Sequence, residues 1–152
     1  MNEVTTVAFD QLPTLAGTDL GFTGYREVTQ DQVNLFADAT DDHQWIHVDP
    51  VRAAAGPFGG PIAHGYLSLA LVVPFFEELL QVEGVTAKVN YGLEKVRFPA
   101  PVPVGARIRM GSTIREVVDV PGGYQLTMDN VVEVEGGAKP AVAATTLFRF
   151  YG

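Results

Sequence analysis

The chain contains no cysteine, which excludes disulfide bridges and thiolate metal sites and is compatible with a reducing cytoplasm. It also lacks a hydrophobic run long enough to span a bilayer. The longest, Tyr66 to Phe76, is 11 residues and includes Ser68, whereas a spanning helix needs roughly 20; a buried helix is predicted there instead. The opening MNEVTTVAFD has neither the basic nor the apolar stretch of a signal peptide, so a cytoplasmic location is expected. Positive charge is scarce at the start. Residues 1–50 carry nine acids against Arg26 alone, residues 51–152 balance nine acids with nine bases, and the net charge is −8. Such a protein is a poor general partner for nucleic acid, and neither a nucleic-acid nor a membrane partner is expected. A phosphorylated ligand would need local cations. Lys88, Lys95, Arg97, Arg107, Arg109 and Arg115 are available, although solvated strand faces account for most of these equally well.

What is present is a globular composition, 47% hydrophobic and 18% charged over 152 residues, enough for one core. No repeat, low-complexity tract or linker divides the chain, so residues 1–152 are read as a single domain. An extended arm, Val4 to Phe9 and then Gly21 to Val28, leads to Thr29-Gln30-Asp31-Gln32. That tetrad fits a capping box, and Val33, more weakly Leu35, then Phe36 and Ala39 continue it as a short amphipathic helix ending near Thr40. Residues 41–61 are irregular, with one helical turn opened by Asp49 as N-cap and Pro50 at the first helical position. The main helix is predicted from about His64 to Gln81, apolar almost all round until Glu77 and therefore enclosed.

Alternation marks the remainder as antiparallel sheet. Ile108, Met110 and Ile114 form one phase, and Tyr124, Leu126, Met128, Val132 and Val134 another. Pro121-Gly122-Gly123 and Gly136-Gly137 supply turns, and Val142 to Tyr151 is the final strand. Between Val85 and Phe98 the apolar phase slips from Val89, Tyr91 and Leu93 to Val96 and Phe98, predicting a β-bulge near Glu94. A long sheet with one all-apolar helix invites the sheet to wrap the helix. The fold class is α+β, and the architecture is the hotdog.

The richest polar cluster is Asp41-Asp42-His43-Gln44-Trp45-Ile46-His47-Val48-Asp49, with five ionisable groups in nine residues. It lies between a helix and a Gly/Pro loop, where loop-borne chemistry is expected. His43 and His47 at i, i+4 raise the question of a metal. A zincin-type pattern needs Glu where Gln44 stands, and a regular helix that Asp49-Pro50 disfavours, so no metal site is expected. The plainer reading makes Asp49 a cap, Asp41 and His43 surface groups, and Trp45 and Ile46 packing residues. A third reading pairs one carboxylate with one imidazole around a water, as hydration of a 2-enoyl thioester requires: a base for the water attacking C3, an acid for C2, and donors for the thioester oxygen. Composition does not say which carboxylate takes part.

Asp42-His43-Gln44-Trp45-Ile46-His47, followed by Ala53, resembles the signature of the MaoC-like, (R)-specific enoyl-CoA hydratases. The likeness continues through Gly56-Pro57-Phe58-Gly59-Gly60-Pro61-Ile62-Ala63-His64-Gly65 and Val96-Arg97-Phe98-Pro99-Ala100-Pro101-Val102-Pro103-Val104-Gly105. It is similar above all to the branch named after nodulation protein N, which carries Asp-His-Gln-Trp-Ile-His. The resemblance implies Asp42 and His47 as the catalytic pair, holding one water and delivering its parts to one face of the alkene. It implies the backbone N–H of Gly65 as oxyanion donor. Its position in the first turn of a helix, where N–H groups are unpaired, independently suits that task.

Several departures and neighbours bear on this. Asp41 stands where the family has Gly, and a second carboxylate would raise the pKa of Asp42 if it pointed inward. Trp45 would narrow the acyl pocket. His64 reads as a satisfied structural histidine. Gln44, Asn90 and Tyr91 are candidate contacts to the acyl or pantetheine portion, and Lys95 and Arg97 to the phosphates of CoA. No cofactor is expected, because CoA or phosphopantetheine belongs to the substrate, an acyl-CoA or an acyl carrier protein thioester. Hotdog domains resemble one another in pairing edge to edge, which implies a homodimer with the acyl site near the interface. The competing functions are a hotdog thioesterase and a non-catalytic acyl-binding module.

Overall fold

In the computed structural model, which describes residues 3–152, the N-terminal arm forms β1 (Thr5–Ala8), a 3-10 helix (Phe9–Leu15), β2 (Asp19–Phe22) and the two-residue β3 (Arg26–Glu27). Helix α1 (Gln30–Thr40) starts where the capping residues place it, with Thr29 Oγ1 accepting the Gln32 N–H at 3.1 Å. It stops at Asp41, which adopts the left-handed conformation at φ 61; a short Asp side chain tolerates this better than a branched one. Two short turns follow, α2 (Trp45–Val48) and α3 (Pro50–Ala54). Asp49 caps α3 by accepting the Arg52 N–H at 3.0 Å, and Pro50 opens it.

The central helix departs from its predicted span of His64 to Gln81. It comprises α4 (Gly65–Ala70) and α5 (Val72–Leu79), and His64 is the N-cap rather than a helical residue. Pro74 lies within it and has no N–H, so the Ala70 carbonyl loses its i+4 donor at the junction. Leu71 nevertheless keeps right-handed helical angles (φ −68, ψ −14) and accepts the Phe75 N–H at 3.1 Å. At the far end the chain turns extended at Leu80 and forms β4 (Leu80–Glu83), paired in parallel with β1 from Thr5↔Leu80 to Ala8↔Glu83. Ladder bonds to the N-terminal arm replace the last predicted helical turn, a tertiary effect invisible to local periodicity.

β5 (Ala87–Arg97), β6 (Arg107–Val120), β7 (Gly123–Val134) and β8 (Pro140–Tyr151) build the sheet, in the order β2-β6-β7-β8-β5 with β3 also on β6. The predicted phases hold: Ile108, Met110, Ile114, Leu126, Met128 and Val132 are fully buried and meet Leu67, Leu71, Val72, Phe75, Phe76 and Leu79 of the helix in one core, with Tyr124 and Val134 partly buried against it. The sheet wraps α4 and α5, which is the hotdog arrangement. Gly122 and Gly136, at φ 82 and 77, make the turns either side of β7. On β5, Leu93 pairs with Thr146 and Val96 with Ala144, so Glu94 and Lys95 together face Thr145. The predicted bulge is there. A second sits at Tyr91, between the pairs Asn90↔Phe148 and Gly92↔Leu147. Among the described residues no helix is long and apolar enough to cross a membrane.

Candidate active site

The loop after α1 is folded back on itself by backbone bonds. The Ile62 N–H bonds the Ile46 carbonyl at 2.9 Å, and the Trp45 ring packs so closely on Gly56 that a Cβ there would stand 2.9 Å away. This stitching turns His47 inward, to 7% exposure. Its Nδ1–H donates to the Ile62 carbonyl at 2.7 Å; a carbonyl only accepts, so the hydrogen is on Nδ1 and Nε2 keeps a free lone pair. Burial pushes the His47 pKa below the ordinary 6.5. The bond to Ile62 pulls the other way, His64 adds to the lowering, and Asp42 opposes it.

Asp42 approaches from the other side. Its carboxylate is exposed and accepts the Gln44 N–H at 3.4 Å, while its carbonyl accepts from His64 Nε2 at 3.0 Å. A carboxylate oxygen of Asp42 and one ring nitrogen each of His47 and His64 all lie within 4.8 Å of one another. The geometry is ill suited to a metal ion. The two imidazoles stack with centroids 3.9 Å apart and planes 23° apart, so their lone pairs lie in two nearly parallel planes, which converge poorly on one ion. The i, i+4 pair of histidines is split: His43 points to the surface, with Nε2 2.8 Å from Asp38 and Nδ1 3.5 Å from Asp41. Asp41 is 98% exposed along its side chain and faces water, not the site.

Gly65 opens α4, and no hydrogen bond engages its N–H among the described residues. It shares with His47 a cavity of about 300 Å³, walled also by Phe58, Ile62, Ser68, Phe98 and Val102. The Phe98 ring lies over Gly65 at the distance where a Cβ would be tight, 3.2 Å. The site therefore combines a carboxylate, a free imidazole lone pair and an unpaired amide beside an apolar cavity, the parts needed for proton transfer next to a developing oxyanion.

The MaoC like domain family matches residues 11–135. The chain belongs to the MaoC-like family. It is 54% identical over 140 residues to 3-hydroxyacyl-thioester dehydratase Z of Mycobacterium tuberculosis (strain ATCC 25618 / H37Rv), covering 91% of this chain and 93% of that protein. To Nodulation protein N of Rhizobium meliloti (strain 1021) it is 42% identical over 141 residues, 91% of this chain and 88% of the relative. Its fold is that of the (R)-hydratase from A. caviae involved in PHA biosynthesis, with a TM-score of 0.72 at 22% identity over 88% of this chain and 94% of the other.

The remaining residues of this MaoC-like chain divide sharply. Gln44 is an exposed N-cap of α2. Asn90 lines a second, mainly apolar cavity of about 310 Å³ between the helix (Tyr66, Leu69, Val73) and β5 (Gly92, Leu93). Tyr91 is outside both cavities, with the Arg149 guanidinium 3.4 Å from its ring centroid. Arg97 donates to the neighbouring Val96 carbonyl at 2.7 Å and shares an outer groove with Lys95; neither is brought to the His47 cavity. Trp45 does not narrow that cavity either, since it clamps Gly56 and carries the Arg52 guanidinium at 4.4 Å. His64 is only half satisfied by the protein, because its Nδ1 is buried without a partner among the described residues. Sequence reasoning passed over Ser68, which lies three residues beyond Gly65 and hence on the same helix face. That spacing was the available signal. Phe98 stands in the Val96–Gly105 run of the resemblance, but its place over Gly65 is set by where the chain leaves β5.

Proposed function

We propose that this protein adds water to trans-2-enoyl thioesters to form (R)-3-hydroxyacyl thioesters, and runs the reverse dehydration. Asp42 and His47 are the acid–base pair, and the Gly65 N–H is the oxyanion donor. The observation that carries this reading is the convergence of the Asp42 carboxylate and the His47 ring beside the cavity that Gly65 opens. The 54% identity to a protein named as a 3-hydroxyacyl-thioester dehydratase supports it.

A water between the two side chains loses a proton to the pair while its oxygen bonds to C3. Electrons from the C2–C3 double bond move to the thioester oxygen, where Gly65 N–H stabilises the charge. The pair then returns a proton to C2. Both additions come from one side, so the addition is syn; the (R) configuration follows the family resemblance. The reaction is redox-neutral, and the thioester itself serves as electron sink, so the chemistry calls for no cofactor. In this reading the acyl chain extends toward Asn90 in the cavity beside β5, and Gln44, Tyr91 and Arg97 meet the carrier portion, whether CoA or a carrier protein.

The active species is a homodimer joined along β5. That strand is the edge of the sheet, and it leaves Val89, Tyr91 and Leu93 at 43%, 55% and 48% exposure. A long apolar edge is a template for pairing with another strand.

Crotonyl-CoA tests the reaction. Loss of enoyl absorbance without free thiol, and an (R) product on chiral analysis, are expected. Thiol release would make the protein a thioesterase, and no turnover would make it a binding module.

A further inference from the structure

His64 stands apart from the other polar residues of the site. Only 2% exposed, it sits at the N-cap of α4 yet makes no capping bond to the helix. Its ring instead reaches back 22 residues, where Nε2 meets the Asp42 carbonyl at 3.0 Å. The carbonyl can only accept, so Nε2 carries the hydrogen and Nδ1 is left as an acceptor. That acceptor is buried and bonds no other group among the described residues. Phe36 packs against the ring with centroids 4.8 Å apart, and His47 stacks on it at 3.9 Å.

A ring needed only to fill this space could be phenylalanine, which would bury no unpaired nitrogen. What imidazole adds is the Nε2–H, and its target is the main chain of the residue bearing the carboxylate. The same ring supplies the surface on which His47 lies, and the next residue in the chain is Gly65. One side chain thus touches or adjoins three parts of the site that come from three separate elements. We infer that His64 is a positioning residue: it holds the Asp42 main chain through its Nε2–H and sets the plane of the His47 imidazole by stacking. The inference rests on the Asp42–His47 assignment above.

Three variants measured with crotonyl-CoA separate the roles. His64→Phe keeps the stacking surface but loses the donor, and kcat is expected to fall about ten- to a hundredfold with KM within about twofold, as misplacement of catalytic groups does. His64→Gln puts an N–H close to the position of Nε2 and is expected to recover a large part of that loss. His64→Asn, too short to reach the Asp42 carbonyl, is expected to behave like His64→Phe, and serves in its place if the latter does not fold.

Wild-type kcat in both His64→Phe and His64→Asn would overturn the inference. So would equal losses in all three variants that merely follow their melting temperatures. Asp42→Asn and His47→Gln run alongside. Full activity in those two overturns the catalytic assignment itself, whereas their inactivity with unaffected His64 variants overturns only the role of His64.

Discussion

A Cβ added to Gly65 would stand 3.2 Å from the ring of Phe98. The amide at the start of α4 is therefore approachable only because the residue carrying it has no side chain and an aromatic wall lies close by. Gly65→Ala pushes Phe98 by a few tenths of an ångström and places a methyl where the thioester must come. Helix propensity favours alanine by up to about 1 kcal/mol, so the melting temperature is expected to change little. Turnover of crotonyl-CoA is expected to fall by about tenfold or more, toward the range seen when an oxyanion donor is lost. Steady-state kinetics beside a thermal melt check both parts.

Asp42 is exposed and makes only a long bond to Gln44, so Asp42→Asn costs the fold little. If it is the partner of His47, turnover drops at least about a hundredfold, the scale of acid–base groups. His47→Gln is expected to do the same, at some added cost in stability because the buried Ile62 carbonyl loses a well-placed donor. Circular dichroism separates the two effects.

Protonation gives opposite signs at two histidines. Burial lowers the His47 pKa, so the unfolded chain binds that proton more readily than the folded one. The stability associated with it is present above about 6.5 and is lost as pH falls from there through the lower folded value. The acid limb of kcat/KM likewise falls below 6.5. At exposed His43 the hydrogen bond to Asp38 raises the pKa, with Asp41 and Asp42 helping. Imidazole NMR is expected to show one ring titrating below and one above 6.5; the same midpoint for both would contradict the geometry.

If β5 is the dimer edge, a charge on its apolar residues should separate the protomers. Leu93→Asp, alone or with Val89→Asp, is expected to shift light scattering from a dimer to the monomer mass. Neither residue belongs to the core cluster, so the monomer is expected to remain folded.

Much of the fold was legible because its signals are local. Thr29 and Asp49 announce helix starts within three residues, where their side chains meet the N–H groups they cap. The slip of apolar phase near Glu94 announces a bulge because side chains alternate strictly along a strand. Apolar periodicity makes residues 64–81 one continuous helix although Pro74 lies in plain view, since periodicity alone carries no information about missing donors. Its early end at Leu79 had no local signal at all: the competing partner, β1, lies more than seventy residues away.

The site divides in the same way. By itself the sequence determined the family, the sheet phases and the identities of Asp42, His47 and Gly65 as candidates, because residue type and short-range spacing suffice for those. Tertiary structure decided which histidine turned inward, that Asp41 faces water, that Trp45 clamps a glycine instead of crowding the cavity, and that His64 binds the Asp42 carbonyl. Each of those outcomes depends on residues far apart in the chain meeting in a packed interior, where a side chain's partners are set by the whole fold and not by its neighbours in sequence.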